Sequence, residues 1–214
     1  NGNTTGVVNA ATINTLTGAA AAMNTAYTAN TDGEISGLAN EAITLDDTTL
    51  AATVLNTLDG NTTGVVNAAT VTVLTGAAGD VITSYTADGN GTISGLGNEA
   101  LTLSGNTSVA NANTLAAETS GVITATITEG DVTTLKTLNE TTNAYTITIT
   151  DGSVAVADLN TINGATTVAV NSNSITTLTG AAGDVITAYT AADGGEITGL
   201  GNEKLTLSGN TSVA

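Results

Sequence analysis

Carboxylates dominate the chemistry open to this sequence. Nineteen Asp and Glu stand against Lys136 and Lys204, with no His, Cys or Arg, and the formal net charge is -17 at pH 7. Two groupings invite a divalent cation. In the first, Asp88-Gly89-Asn90-Gly91-Thr92-Ile93-Ser94 looks like the middle of a calcium loop, where alternate oxygen ligands and a central Gly wrap the ion. Thr86 would then take the first ligand position and Gly97 the twelfth, where a bidentate Glu is expected, and the copies at 30–36 and 192–198 move the acids about. A solvated Asp-Gly turn fits these residues better. The second grouping is Asp46-Asp47, Glu129 with Asp131, and Asp151, all at turns between a strand and a helix. Stacked turns could share calcium, yet the same acids serve a helix N-terminus without metal, and Asn or Ser replaces them in other copies. We therefore expect no catalytic, cofactor-binding or metal residues and no cofactor, with calcium-stiffened turns as the alternative.

Other chemistries lack material. Without His, Cys or Arg the common nucleophile-base pairs and anion clamps cannot be assembled, so the sequence predicts no enzyme. Nucleic acid and anionic membranes need clustered basic residues, and no apolar run approaches a membrane span. Thr44, Thr102, Thr126, Thr148 and Thr206 would line an outer sheet face as good half-exposed β residues, interrupted at Val65, Ala169 and Lys204. Tyr27, Tyr85 and Tyr189 recur at matching positions. Buried against their own coil they are packing; exposed in a row they would serve lateral contacts or binding. The Asn-x-Ser/Thr sequons at Asn3, Asn61, Asn90, Asn106, Asn139 and Asn210 are expected by chance in a chain this rich in Asn and Thr.

The elements that position these residues come from repetition. Leu16-Thr17-Gly18-Ala19-Ala20 recurs at Leu74 and Leu178, and Gly37-Leu38-Ala39-Asn40-Glu41 recurs almost unchanged at Gly95 and Gly199, giving offsets of 58 and 104 residues. Self-similarity of this length marks a stacked-repeat architecture. The apolar residues suit it, being mostly Ala, Val, Leu and Ile, with no Phe, Trp or Pro. Such residues fill a narrow seam rather than a broad core.

Short alternating stretches such as Ile43-Thr44-Leu45, Leu101-Thr102-Leu103, Ile147-Thr148-Ile149 and Leu205-Thr206-Leu207 read as strands with one aliphatic face. Their inward residues, among them Leu45, Leu103, Ile127, Ile149, Val170 and Leu207, imply a coil of about 22 residues with insertions near 19–41, 77–99 and 181–203. After each strand comes an aliphatic preceded by Ser, Thr or Asp, an N-cap type: Thr12, Thr49, Thr70, Ser108, Asp131, Ser153 and Ser174. The fold expected is a repeat solenoid over 1–214, one parallel sheet with one short strand plus a turn or short helix per coil. An all-β solenoid is the alternative. Both termini interrupt a repeat, at Asn1-Gly2-Asn3 and Ser212-Val213-Ala214, so the chain reads as a segment of something longer.

The phrases Ala157-Asp158-Leu159-Asn160-Thr161-Ile162-Asn163-Gly164, Leu55-Asn56-Thr57-Leu58-Asp59-Gly60 and Ile35-Ser36-Gly37-Leu38-Ala39-Asn40-Glu41 resemble repeats of the giant cell-surface and secreted proteins of marine cyanobacteria, including the type linked to swimming motility. The resemblance implies an extracellular structural role and carries no site residues. The expected function is a structural segment of an extracellular filament, surface layer or giant surface protein. Its partners would be flanking repeats or other copies, end to end. An adhesion or ligand-binding module with calcium-stiffened turns is the alternative.

Overall fold

A computed structural model describes residues 4–209. Asn1-Gly2-Asn3, Ser212-Val213-Ala214 and the sequons at Asn3 and Asn210 lie outside the described residues. The chain forms two compact units, one from residues up to Ser104 with Glu118–Gly121, the other from Gly105–Ala117 and Val122 onward.

In the first unit β1 (Val8–Asn9), β2 (Thr15–Gly18) and α1 (Ala20–Thr31) are followed by β3 (Ile35–Ser36), β4 (Ala42–Leu45), β5 (Thr49–Ala51) and α2 (Ala52–Asn61). Then come β6 (Val66–Asn67), β7 (Val73–Gly76), α3 (Ala78–Asn90), β8 (Ile93–Ser94) and β9 (Ala100–Thr107), whose last residues enter the second unit. Every pairing is parallel: β1 with β3, then β2, β4, β6 and β8 in one run, and β5, β7 and β9 in another. In the second unit α4 (Val109–Glu118), β10 (Ile123–Ile127), α5 (Val132–Leu135), β11 (Ala144–Thr146), β12 (Ser153–Ala155) and α6 (Val156–Gly164) lead to β13 (Val170–Asn171) and β14 (Thr177–Ala181). The unit closes with α7 (Ala182–Asp193), β15 (Ile197–Thr198) and β16 (Lys204–Ser208). Its pairings, β10 with β11, β12 with β14 with β16, and β13 with β15, are parallel too.

The fold is therefore α/β with all-parallel sheets and seven helices among the described residues. None of these helices is long and apolar enough to cross a membrane. The strands expected at Ile43-Thr44-Leu45, Leu101-Thr102-Leu103 and Leu205-Thr206-Leu207 are present and parallel, but Ile147-Thr148-Ile149 makes only an isolated bridge from Thr148 to Asn171, and the strands fall into several sheets rather than one. The stretches at 19–41, 77–99 and 181–203 hold a helix and a strand each: α1 with β3, α3 with β8, α7 with β15. Val8 pairs with Ile35 and Val66 with Ile93, both 27 residues apart, whereas Ile43 pairs with Val66 after 23. The long gaps in the sequence pattern each hold a helix and a strand only two residues long.

Helix α3 explains why the elements in those gaps hide. Its Thr, Gly and Asn content gives poor intrinsic helix propensity. What holds it is burial of Ala78, Val81, Ser84 and Tyr85 at helical spacing, and termination at Gly91 in the left-handed region at φ 80. Helices do not start after Thr12, Thr70 or Ser174. Instead the Oδ1 of Asn9, Asn67 and Asn171 accepts from the N–H two residues on, at 3.0, 3.0 and 3.1 Å, a local turn that sends the chain into β2, β7 and β14. Thr49 and Ser153 likewise open strands, and their helices begin three residues later behind Ala51 and Ala155 with no side-chain cap. Only Ser108 and Asp131 cap as expected, accepting from Asn111 N at 3.2 Å and Thr134 N at 2.9 Å.

The aliphatic seam is buried as its alternation requires, with Leu45, Leu103, Ile127, Ile149 and Val170 inside. Leu207 departs from the pattern. It is exposed, because no strand pairs with the outer edge of β16 among the described residues.

Candidate functional site

The repeated tyrosines meet a repeated glutamate. The Tyr27, Tyr85 and Tyr189 hydroxyls donate to Oε2 of Glu41, Glu99 and Glu203 at 2.8, 2.9 and 2.7 Å. Each tyrosine comes from the inner face of a long helix, and each glutamate stands just before the next strand. Glycine makes the corner between them, with Gly37, Gly95 and Gly199 at φ 91, 90 and 92. The glutamate folds back on its own corner, accepting from Ala39 N at 3.0 Å, Gly97 N at 2.9 Å and Gly201 N at 2.9 Å. The corner is tied to its helix a second time: Leu38 N donates to Asn30 Oδ1 at 3.1 Å, and Leu96 N to Asp88 Oδ1 at 3.2 Å. Asp88, the most calcium-like acid of the sequence, thus holds a backbone amide.

The next coil seals two of the three couples. Thr62 Oγ1 donates to the Glu41 carbonyl at 2.8 Å, and Thr119 Oγ1 to the Glu99 carbonyl at 2.7 Å. A Cβ added at Gly64 or Gly121 would collide with the same carbonyls. Glu41 and Glu99 are fully buried as a result, while Glu203, with no coil over it among the described residues, is half-buried. A fourth coil varies the theme: Asn143 Nδ2 donates to the Tyr145 hydroxyl at 3.0 Å, and Thr166 Oγ1 to the Tyr145 carbonyl at 2.7 Å.

Burial pushes the Tyr27 phenol up to about 12; the Thr62 hydroxyl opposes the rise and Glu41 adds to it. Burial raises Tyr85 as well, and takes Tyr145 to about 12. At Tyr189 the hydrogen bond to Glu203 is the leading cause, again to about 12. Burial alone would raise the Glu203 carboxyl, but the Tyr189 hydroxyl and the N–H groups of Gly201, Glu203 and Asn202 outweigh it and hold it below its usual value. The phenols are thus fixed as donors. The recesses beside Gly6 and Gly33, beside Val168 and Gly195, and beside Ile186 and Thr190 are lined by none of these couples.

The turn acids act across coils. Asp47 Oδ2 accepts from Ala20 N at 2.7 Å, Glu129 Oε2 from Val109 N at 3.0 Å and Asp151 Oδ2 from Val132 N at 2.8 Å. Each caps the helix of the preceding coil, a role in which a carboxylate meets unpaired N–H groups and the positive end of the helix dipole. Asp46 is exposed, and no cluster of three metal-ligating acids occurs among the described residues. The outward threonines Thr44, Thr102, Thr126, Thr148 and Thr206 are exposed as expected but share no single sheet: Thr44 in β4 and Thr206 in β16 lie in different ones, and Thr148 makes an isolated bridge. Asparagine supplies a further tie that sequence reasoning missed. Asn24, Asn56 and Asn160 donate from Nδ2 to the carbonyls of Val54, Asp80 and Asp184 on the neighbouring helix, at 3.1, 2.9 and 3.0 Å.

The Tyr–Glu couple is built for cohesion, and its strength is measurable. Tyr85→Phe leaves the Glu99 carboxylate buried with one N–H partner from Gly97, and should lower stability by about 1–3 kcal/mol. Tyr189→Phe, at a couple water still reaches, should cost about 1 kcal/mol or less. Urea midpoints of the two variants check this, and equal losses would contradict it. No family model, curated protein or solved structure matches this chain.

Proposed function

We propose that the chain is a repeat solenoid segment serving as a structural building block of an extracellular filament, surface layer or giant cell-surface protein. The observation that carries this reading is that coil after coil hands its polar groups to its neighbour. Thr62 seals Glu41, Asp47 caps Ala20, and Asn56 clamps Asp80. A coil that is satisfied only by the next one propagates as a stack, since stability then resides in nearest-neighbour interfaces. Burial of Tyr27 and Tyr85 supports packing over display, by the criterion that separated the structural reading from the adhesion module.

The resemblance of Leu55-Asn56-Thr57-Leu58 and Leu159-Asn160-Thr161-Ile162 to giant cyanobacterial surface repeats agrees with this reading, and Asn56 and Asn160 in those phrases are clamps between helices. A net charge of -17 would keep such a surface hydrated and oppose lateral collapse. Immunogold labelling of intact producing cells tests the proposal. Label on the outer surface or in shed material is expected; label found only after permeabilisation, inside the cell, would overturn it.

A further inference from the structure

We propose that residues 4–9 of one copy of this chain dock as a parallel strand on the outer edge of β16 in a second copy, head to tail. The inference deepens the structural-repeat reading and rests on it. The molecule carries its own template for the contact. Residues Thr4 to Thr12 are identical to Thr62 to Thr70, the segment that covers the edge of β4. The edge of β16 in turn repeats that of β4, with Glu203, Leu205 and Leu207 at the positions of Glu41, Ile43 and Leu45.

Among the described residues both surfaces are unfilled halves of one joint. Ile43 and Leu45 are each 1% exposed, whereas Leu205 and Leu207 are 43% and 45% exposed. Val66 is fully buried and Val8, its twin, is 36% exposed. In the template Ile43 lies opposite Val66, Ile43 N donates to the Val65 carbonyl at 2.9 Å, and Thr63 N donates to the Ala39 carbonyl at 2.9 Å. Transferred between copies, Leu205 lies opposite Val8, Leu205 N donates to the Val7 carbonyl, and Thr5 N donates to the Gly201 carbonyl. Thr4 Oγ1 takes the Glu203 carbonyl, as Thr62 takes that of Glu41. Docking thereby completes the one Tyr–Glu couple that is only half-buried. Because the two surfaces differ, the contact is heterologous, and each copy adds a new edge for the next.

Sedimentation velocity from micromolar to millimolar protein reads the outcome. The wild-type mass should climb with concentration. Val8→Asp and Leu205→Asp, each placing a charge in a joint that must be dry, should weaken assembly roughly tenfold or more when alone. Thr5→Pro removes only the N–H that Gly201 would accept, and stands in if Val8→Asp alters the circular dichroism of the monomer. An equimolar mixture of a variant blocked at its first strand and Leu205→Asp retains one good surface of each kind, so it should stop at twice the monomer mass. A wild type that stays monomeric throughout overturns the proposal and makes Lys204 an edge-protecting charge. Blocked variants that assemble as the wild type does also overturn it, in favour of lateral association. Neither result touches the surface location that immunogold labelling tests, so the two readings fail separately.

Discussion

Raising the pH through 10 to 12 should unfold the protein in one transition, with the tyrosines ionising only as the structure is lost. Tyr27 and Tyr145 are pushed up to about 12 from 10.0, in both cases chiefly by burial, and Tyr85 is raised for the same reason. The folded state therefore binds the phenolic proton more tightly than the unfolded state. The contribution is fully present below pH 10, begins to fall once the unfolded phenol ionises, and is gone above the folded value. Discounted for solvent screening, a rise of this size corresponds to roughly 1–2 kcal/mol for each of Tyr27 and Tyr145, and Tyr85 adds to it, whereas the half-buried Tyr189 contributes less. Against a domain stability of about 5–15 kcal/mol, that loss is decisive. Each tyrosinate would also join a surface already carrying -17, with only two lysines to offset it. Tyrosinate absorbance and far-ultraviolet circular dichroism, followed together, check the expectation. Phenols titrating near 10 while the helical signal persists would show that the Tyr–Glu couples do not hold.

The architecture was legible in the sequence where side chains alternate, and illegible where coils lend one another their support. Ile43-Thr44-Leu45 and Ile147-Thr148-Ile149 announce their inward faces because strand periodicity is local. Helices α2, α4 and α6 were signalled by the N-cap types Thr49, Ser108 and Ser153 just ahead of them. Helices α1, α3 and α7 were not, since a run such as Gly79-Asp80-Val81-Ile82-Thr83-Ser84 is helical only once Val81 and Tyr85 have a seam to enter. Asp47, Glu129 and Asp151 could be read as helix caps by type, but the helices they cap lie 19 to 27 residues earlier in the chain. No local rule reaches that far. The Tyr–Glu couple did have a sequence signal: tyrosine precedes glutamate by 14 residues in all three long coils. Both residues were noticed singly, and the constancy of their spacing was the missing step.

Gly95→Ala should be among the most damaging single-methyl changes available to this chain, at about 2–4 kcal/mol. Gly95 follows β8 at φ 90, where a side chain costs about 1–2 kcal/mol. Its added Cβ would also stand 2.9 Å from the Cα, Cβ and N of Ala69 on the neighbouring coil. Two of those three atoms are backbone, so relief requires moving the strand that Ala68 N anchors to the Ser94 carbonyl at 2.8 Å. Alanine returns only about 0.4–1 kcal/mol by restricting the unfolded chain. Gly89→Ala is the matched control. It lies inside α3 with nothing within 4 Å of the new methyl, and should stabilise by about 0.5–1 kcal/mol. Urea melts of the two variants should therefore move in opposite directions. The corner at Gly95 sets where Leu96, Gly97 and Glu99 fall, so its loss should also release the Tyr85 hydroxyl from Glu99, lowering the pH at which that phenol titrates. If Gly95→Ala melted with the wild type, the close approach of Gly95 to Ala69 would be wrong, and with it the geometry that buries Glu99 against Tyr85 of α3.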